Sequence, residues 1–187
     1  MKIINLFGAP SAGKSTTMLG LTYRLKLLKY NVENTPEFFK ELIYEEGKVD
    51  LFGGQLMVLA EQNKRLARLV NKADFVVTDC PLPLISYYTD NTYISGFKEF
   101  ALNLFNSYDN ENYLLLRGHS FETEKRNHNE HESVVIETEL PMFLEQNNIK
   151  YKTFKTSEDL IDHMIQDMKK NKVLTKPQEK KFCKPNI

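Results

Sequence analysis

Eight consecutive residues, Gly8-Ala9-Pro10-Ser11-Ala12-Gly13-Lys14-Ser15, keep the spacing G-x-x-x-x-G-K-[ST] directly after the apolar run Ile3-Ile4-Asn5-Leu6-Phe7. This placement narrows the fold before any other feature is read. It asks for a buried strand, a loop whose backbone N–H groups turn inward, and a helix whose positive end faces the same point. Gly8 and Gly13 allow backbone angles and close approaches that a Cβ would block. Lys14 brings a compact cation to β- and γ-phosphates, and the Ser15 hydroxyl suits a hard divalent cation. The plain alternative is a glycine-rich turn that opens a helix. With a strand before and a helix after, Gly8 through Thr16 read instead as a cradle for ATP or another nucleoside triphosphate with Mg²⁺.

At 187 residues, 41% hydrophobic and 27% charged, the chain suits one domain with a single core. The expected division is a core domain over 1–170, with a polar lid at about 117–132, and a Lys-rich tail over 171–187. Lys+Arg and Asp+Glu both number 25, for a net charge of +0. A broad nucleic-acid footprint normally leaves a basic excess, so a nucleic-acid partner is not expected. Cys80 and Cys183 are too few and too far apart for a disulfide framework, which suggests free thiols in a reducing compartment. No stretch approaches the roughly 18 apolar residues of a membrane span, and the first residues run into the strand without a cleavable signal. A cytoplasmic protein without a membrane partner is expected, and a homodimer stays an open expectation.

Along the chain, strands are expected at about 2–7, 31–34, 73–78, 113–116 and 150–154. Between them lie amphipathic helices. The first repeats Met18, Leu21, Leu25 and Leu28 at three- and four-residue steps. Thr35 caps a second helix through Phe38, Phe39, Leu42 and Ile43, with Pro36 in its first turn. A third covers 51–71, with Phe52, Leu56, Leu59, Leu66 and Val70 inward and Gln55, Gln62, Arg65 and Arg68 on its surface. Pro81 and Pro83 prevent an immediate regular continuation after the third strand. Helices near 96–107 and through 135–144 follow, Pro141 marking a kink or a boundary in the latter. Thr156 or Ser157 caps the last, which turns Ile161, Met164, Ile165 and Met168 inward. Alternating strands and helices predict an α/β fold of three layers, a parallel sheet flanked by helices. Ligands of such sheets gather at the carboxyl ends of the strands, where Lys14, Ser15, Glu37 and Asp79 all fall.

Phosphoryl transfer needs an anion cradle, Mg²⁺, an oriented acceptor and cations for developing charge. Asp79, ending the run Phe75-Val76-Val77, can face Mg²⁺ beside Ser15, or can cap the next turn. Glu37 can accept the proton of an acceptor hydroxyl, or serve the helix dipole as a first-turn acid. Segment 117–132 carries Arg117, Lys125 and Arg126, with Arg126 the choice for a lid cation; a solvated charged loop is the alternative. His128 and His131 stand at helical spacing with no cysteine near, so a surface pair is expected over a zinc site. Gln62 and Arg65 can hydrogen-bond a base or fill a polar surface. Tyr87 and Tyr88, with Phe38 and Phe39, can stack on a base, although core packing suits the Phe pair better. Neither cysteine has an identifiable base, so no catalytic role is expected of them.

Strand plus phosphate loop, Thr35-Pro36-Glu37-Phe38-Phe39-Lys40-Glu41, Glu61-Gln62-Asn63, Val76-Val77-Thr78-Asp79-Cys80-Pro81 and Phe121 to Glu132 stand in one order. This arrangement resembles the small P-loop kinases described in bacteriophage genomes as AAA domain ATPases. They are similar to the ribosylnicotinamide kinase domain and, more distantly, to deoxynucleoside and nucleoside monophosphate kinases. The likeness spans roughly 1–155, the phosphate loop being its specific part. It implies Glu37 near the acceptor, Asp79 near the metal and Arg126 on phosphates. Deoxynucleoside kinases place an arginine straight after the acid that matches Asp79. Here Cys80 stands there, which weakens any transfer of their nucleoside specificity and leaves the acceptor open. The resulting expectation is an ATP- and Mg²⁺-dependent phosphotransferase acting on a small nucleoside or nucleotide. Its rivals are a polynucleotide 5′-end kinase and a regulatory NTPase whose acceptor is water.

Overall fold

In chain order the elements are β1 (Lys2–Phe7), α1 (Lys14–Leu27), β2 (Val32–Thr35), α2 (Phe38–Glu46), α3 (Leu51–Ala67) and β3 (Phe75–Thr78). They continue with α4 (Leu82–Tyr87), α5 (Phe97–Asn106), β4 (Asp109–Leu116), α6 (Glu130–Gln146), β5 (Lys152–Lys155) and α7 (Leu160–Lys170). This computed structural model describes residues 1–46, 51–89, 93–118 and 130–174. The strands form one sheet in the order β2-β3-β1-β4-β5, and every pairing is parallel. The chain fills one side of β1 with β3 and β2, then crosses to β4 and β5. The crevice at such a reversal, outside the carboxyl ends, is where open α/β sheets place ligands.

The side chains of β1 explain its central position. Ile3, Ile4, Leu6 and Phe7 are all buried, as expected of a parallel strand covered on both faces. Ile3, Phe7, Val76 and Leu114 join a core with Leu59 and Leu66 of α3, Phe105 of α5 and Leu140 and Leu144 of α6. Ile4, Leu6, Val77, Tyr113 and Leu115 join the opposite core with Met18, Leu21 and Leu25 of α1 and Met164, Ile165 and Met168 of α7. The alternation along each strand assigns the two layers of helix, giving the three-layer α/β fold the sequence predicts. Among the described residues, no helix is long and apolar enough to cross a membrane.

Several boundaries differ from expectation, each for a local reason. β4 starts at Asp109, earlier than its apolar core, because Asp109 to Asn112 pair in register with Lys2 to Asn5. The buried Asn5 amide donates to Asn110 Oδ1 and Asn112 Oδ1 at 2.9 and 3.0 Å, so polar side chains are satisfied inside this part of the sheet. A short helix, α4, follows Pro81 despite Pro83, which falls within its first turn where a missing N–H is harmless. α6 runs through Pro141 without a boundary, held by buried Leu140, Phe143 and Leu144 on either side of it. Thr35 ends β2 rather than capping α2, and its buried hydroxyl has no hydrogen-bond partner among the described residues. α7 begins at Leu160, and Thr156 does not cap it. The Thr156 hydroxyl instead accepts from Gly118 N–H and donates to Leu116 O, tying the end of β5 to the end of β4.

α3 carries the largest correction. Leu56 and Val70, expected inward, are 48% and 41% exposed, while Gln55 and Gln62, expected on the surface, are buried. The buried side of α3 therefore includes Gln55, Leu59, Gln62 and Leu66, a three- and four-residue series with two amides, together with Val58.

Candidate functional site

The loop between β1 and α1 is wound tightly. Ala12 N–H donates to Ala9 O, Ser11 takes a left-handed φ of 61° although it is not glycine, and Gly13 follows at 79°. A buried non-glycine residue in that region marks backbone held against its preference, a feature that collects at functional sites. The result is a nest of inward amides continued by the first turn of α1. Lys14 folds back over this loop, its Nζ donating to Gly8 O at 2.7 Å and Ala9 O at 3.0 Å. Ser133, wholly buried in α6, donates its hydroxyl to Pro10 O at 2.7 Å and so braces the loop from outside.

Asp79 lies just past β3 and is buried. Its Oδ2 accepts from the Ser15 hydroxyl at 2.6 Å, and its Oδ1 accepts from the Glu37 main-chain N–H at 3.0 Å. One carboxylate thus joins the start of α1, the end of β3 and the approach to α2. Glu37 precedes α2 and does not belong to its first helical turn. Residues Ser11 to Thr17, Glu37, Lys40, Gly118, Thr156 and Ile161 are among those lining a cleft of about 950 Å³. That size is at the upper end for small-molecule sites.

Gln62 supports this arrangement from below. It is fully enclosed, with Oε1 accepting from Phe38 N–H at 3.2 Å and Nε2 donating to Thr78 Oγ1 at 3.3 Å. Thr78 Oγ1 in turn donates to Thr35 O and accepts from Cys80 N–H. Gln62 therefore joins α2, α3 and the ends of β2 and β3, and neither of its amide ends is turned to a ligand. Its only sequence signal was its place in the series with Leu59 and Leu66. Arg65 is likewise engaged: its guanidinium forms a two-pronged pair with Glu41 and lies 4.8 Å from the Phe38 ring centre. That hydrogen bonding holds the Glu41 carboxyl below its usual range and raises Arg65.

Cys80 is buried, and burial first, then the charges of Glu37 and Asp79, pushes its thiol well above the ordinary range. That shift favours the neutral thiol over the nucleophilic thiolate. The Tyr88 phenol is raised by burial and then by the charge of Glu37. Tyr87 packs edge-on against Phe143 and Tyr88 and donates to Glu139; burial and that carboxylate push it to about 12. These rings, with Phe38 and Phe39, pack on the core beside α3.

Arg117 belongs to the sheet end: its N–H donates to Glu137 Oε1 at 2.9 Å, and its guanidinium lies 4.0 Å from Oε2. Residues 130–132 lie within α6. Arg126, Lys125, His119, His128 and Cys183 lie outside the described residues. Among the described residues, no group of three or more His, Cys, Asp or Glu side chains is placed to hold a metal. Ser15 and Asp79 fit a different demand. A hydroxyl and a carboxylate oxygen side by side are hard donors of the kind Mg²⁺ takes when phosphates and water complete its shell.

The sequence profile of the AAA domain family matches residues 3–159, which includes the loop, Glu37, Asp79 and the whole β5–α7 connection. The chain belongs to this family. No curated protein matches the AAA domain chain in sequence. Among solved structures, thymidylate kinase from Ehrlichia chaffeensis aligns with a TM-score of 0.63 and 14% identity, over 90% of this chain and 98% of that one. Deoxyadenosine kinase from M. mycoides with the products dCMP and a flexible dCDP aligns at 0.55 and 19% identity, over 93% and 100%. The same kinase with bound dCTP aligns at 0.57 and 19%, over 91% and 100%. This AAA domain therefore has the fold of the small P-loop nucleoside and nucleotide kinases, as the resemblance in its sequence implies.

Proposed function

We propose that this AAA domain protein is a phosphotransferase that moves the terminal phosphoryl group of ATP, or another nucleoside triphosphate, to a small nucleoside or nucleotide in a Mg²⁺-dependent reaction. One observation carries the reading: Asp79 binds the Ser15 hydroxyl with one oxygen and the Glu37 N–H with the other, at a cleft floored by the phosphate loop. Donor phosphates, metal-facing oxygens and a carboxylate base thereby share one opening.

In this scheme the amides from Gly8 to Thr16 hold the donor phosphates, and Lys14 turns from the Gly8 and Ala9 carbonyls toward them. Ser15 and Asp79 hold Mg²⁺, which neutralises phosphate charge when bound. Glu37 takes the proton of the acceptor group as its oxygen bonds to the terminal phosphorus. The bond between that phosphorus and its bridging oxygen breaks, and the electron pair leaves with the nucleoside diphosphate. Positioning carries most of the rate, because the transferring group needs little covalent help. Arg126 is assigned to the transferring group from the sequence alone.

The test is a panel of nucleosides, nucleoside monophosphates and nicotinamide riboside incubated with labelled ATP or GTP and Mg²⁺. Label should pass to one acceptor class, in step with diphosphate formation. Steady release of inorganic phosphate, unmoved by any acceptor, would make the protein an NTPase. Steeply salt-sensitive phosphorylation of oligonucleotide ends would make it a polynucleotide kinase.

A further inference from the structure

Lys40 lines the same cleft as Lys14, Ser15 and Glu37, one helical turn after Glu37. It is half-buried, and among the described residues its side chain has neither a hydrogen bond nor an ion pair. Its surroundings make that unusual. Arg65, Glu41, Glu61 and Lys64, on the adjoining surfaces of α2 and α3, are all paired with one another. Lys40 has Glu41 as its chain neighbour, yet Glu41 is committed to Arg65. Lysine bears a compact, strongly hydrated charge, and partial burial without a counter-charge is unfavourable unless an anion arrives.

Ser15 Oγ and the Glu37 N–H are held by the two oxygens of Asp79, which sets Glu37, and Lys40 one turn after it, on the Ser15 side of the phosphate loop in the same cleft. The terminal phosphate of a triphosphate shares its metal with the second phosphate and so lies on that side. We propose that Lys40 grips the terminal phosphoryl group of the nucleoside triphosphate, so that the cleft distinguishes tri- from diphosphate on the acceptor side. The inference rests on the donor-site reading above and deepens it. Lys40 neutralises charge on the group being transferred and releases the diphosphate once that group has gone.

The test is calorimetric titration of the full chain with a non-hydrolysable triphosphate analogue and with the matching diphosphate, both with Mg²⁺. In Lys40→Gln the triphosphate analogue should bind about tenfold to a hundredfold more weakly, with the diphosphate unchanged. Lys40→Arg should restore most of the difference. The melting temperature of Lys40→Gln should match the wild type, since no partner is lost. Equal affinity of wild type and variant for the triphosphate analogue overturns the assignment, as does equal weakening for both nucleotides. Failure of the wild type to bind either nucleotide overturns the donor site itself, a separate outcome visible in the same titration.

Discussion

Oδ1 of Asp79 accepts the main-chain N–H of Glu37 at 3.0 Å, so the approach to α2 hangs from the end of β3. The link is to the backbone of Glu37 and does not draw on its side chain. Asp79→Ala removes both this acceptor and the one used by Ser15, leaving two part-buried donors without it. A loss of about 1–3 kcal/mol is expected in urea unfolding, together with loss of turnover. Asp79→Asn keeps an oxygen at the position and should recover most of the stability while leaving Mg²⁺-dependent turnover low. Full activity in the asparagine variant would remove Asp79 from the metal site.

Glu37→Gln separates the base from the scaffold, because the N–H bond to Asp79 survives the change. Turnover should fall about a hundredfold or more, with donor affinity unchanged. Lys14→Ala should instead weaken donor binding and turnover together. Its Nζ donates to the Gly8 and Ala9 carbonyls of its own loop, so circular dichroism and melting should show an intact fold. A glutamine variant with wild-type turnover would return Glu37 to a purely structural position.

The parts of this site that are local in sequence could be read from it. Strand, loop and helix follow one another from Lys2 to Leu27, and the glycines, Lys14 and Ser15 are adjacent letters. Asp79 was legible because an acid ending an apolar run reaches the sheet's mouth. Gln62 was not, because helical periodicity counts polar residues as surface, and this one is buried by contacts with Phe38 and Thr78 that are distant in sequence. The same misassignment turned Leu56 inward and hid the pairing of Arg65 with Glu41. Lys40 passed unnoticed because its letter does not set it apart from other helix lysines, and its place in the cleft depends on the fold.

Gln62→Leu fills the same space without its two hydrogen bonds. The Phe38 N–H and the Thr78 hydroxyl each lose a partner, and about 1–3 kcal/mol should be lost in chemical unfolding. Because Phe38 adjoins Glu37, turnover should also fall, while the affinity for donor nucleotide holds. A variant as stable as the wild type would show that water replaces both bonds.

Glu41 gives a pH dependence with a definite sign. The Arg65 hydrogen bond lowers its pKa in the folded protein relative to the unfolded chain, whose value is near 4.5. A depressed carboxyl stabilises the fold above the unfolded pKa, and the contribution is lost as pH falls through the folded one. The wild type should therefore exceed Glu41→Gln in stability at neutral pH, by no more than about 1 kcal/mol because Glu41 is 46% exposed. The gap should close as the solution is acidified below about pH 4. A gap that widens on acidification would contradict the pairing.

Gly118 and Gly54 make a matched pair of opposite sign. A Cβ on Gly118 would stand 1.8 Å from the carbonyl oxygen of Thr156, a backbone atom that no rotamer change can move. The N–H of Gly118 also donates to the Thr156 hydroxyl at 2.8 Å, so the two strand ends cannot separate without losing it. Gly118→Ala should cost more than about 2 kcal/mol and weaken nucleotide binding, since both residues line the cleft. Gly54, within α3, has nothing within 4 Å of an added Cβ. Gly54→Ala should stabilise the helix by about 0.5–1 kcal/mol and leave nucleotide affinity alone. Urea midpoints and a nucleotide titration on both variants decide the matter. A Gly118→Ala variant with wild-type midpoint and affinity would show that the β4 and β5 ends are not locked together at this point.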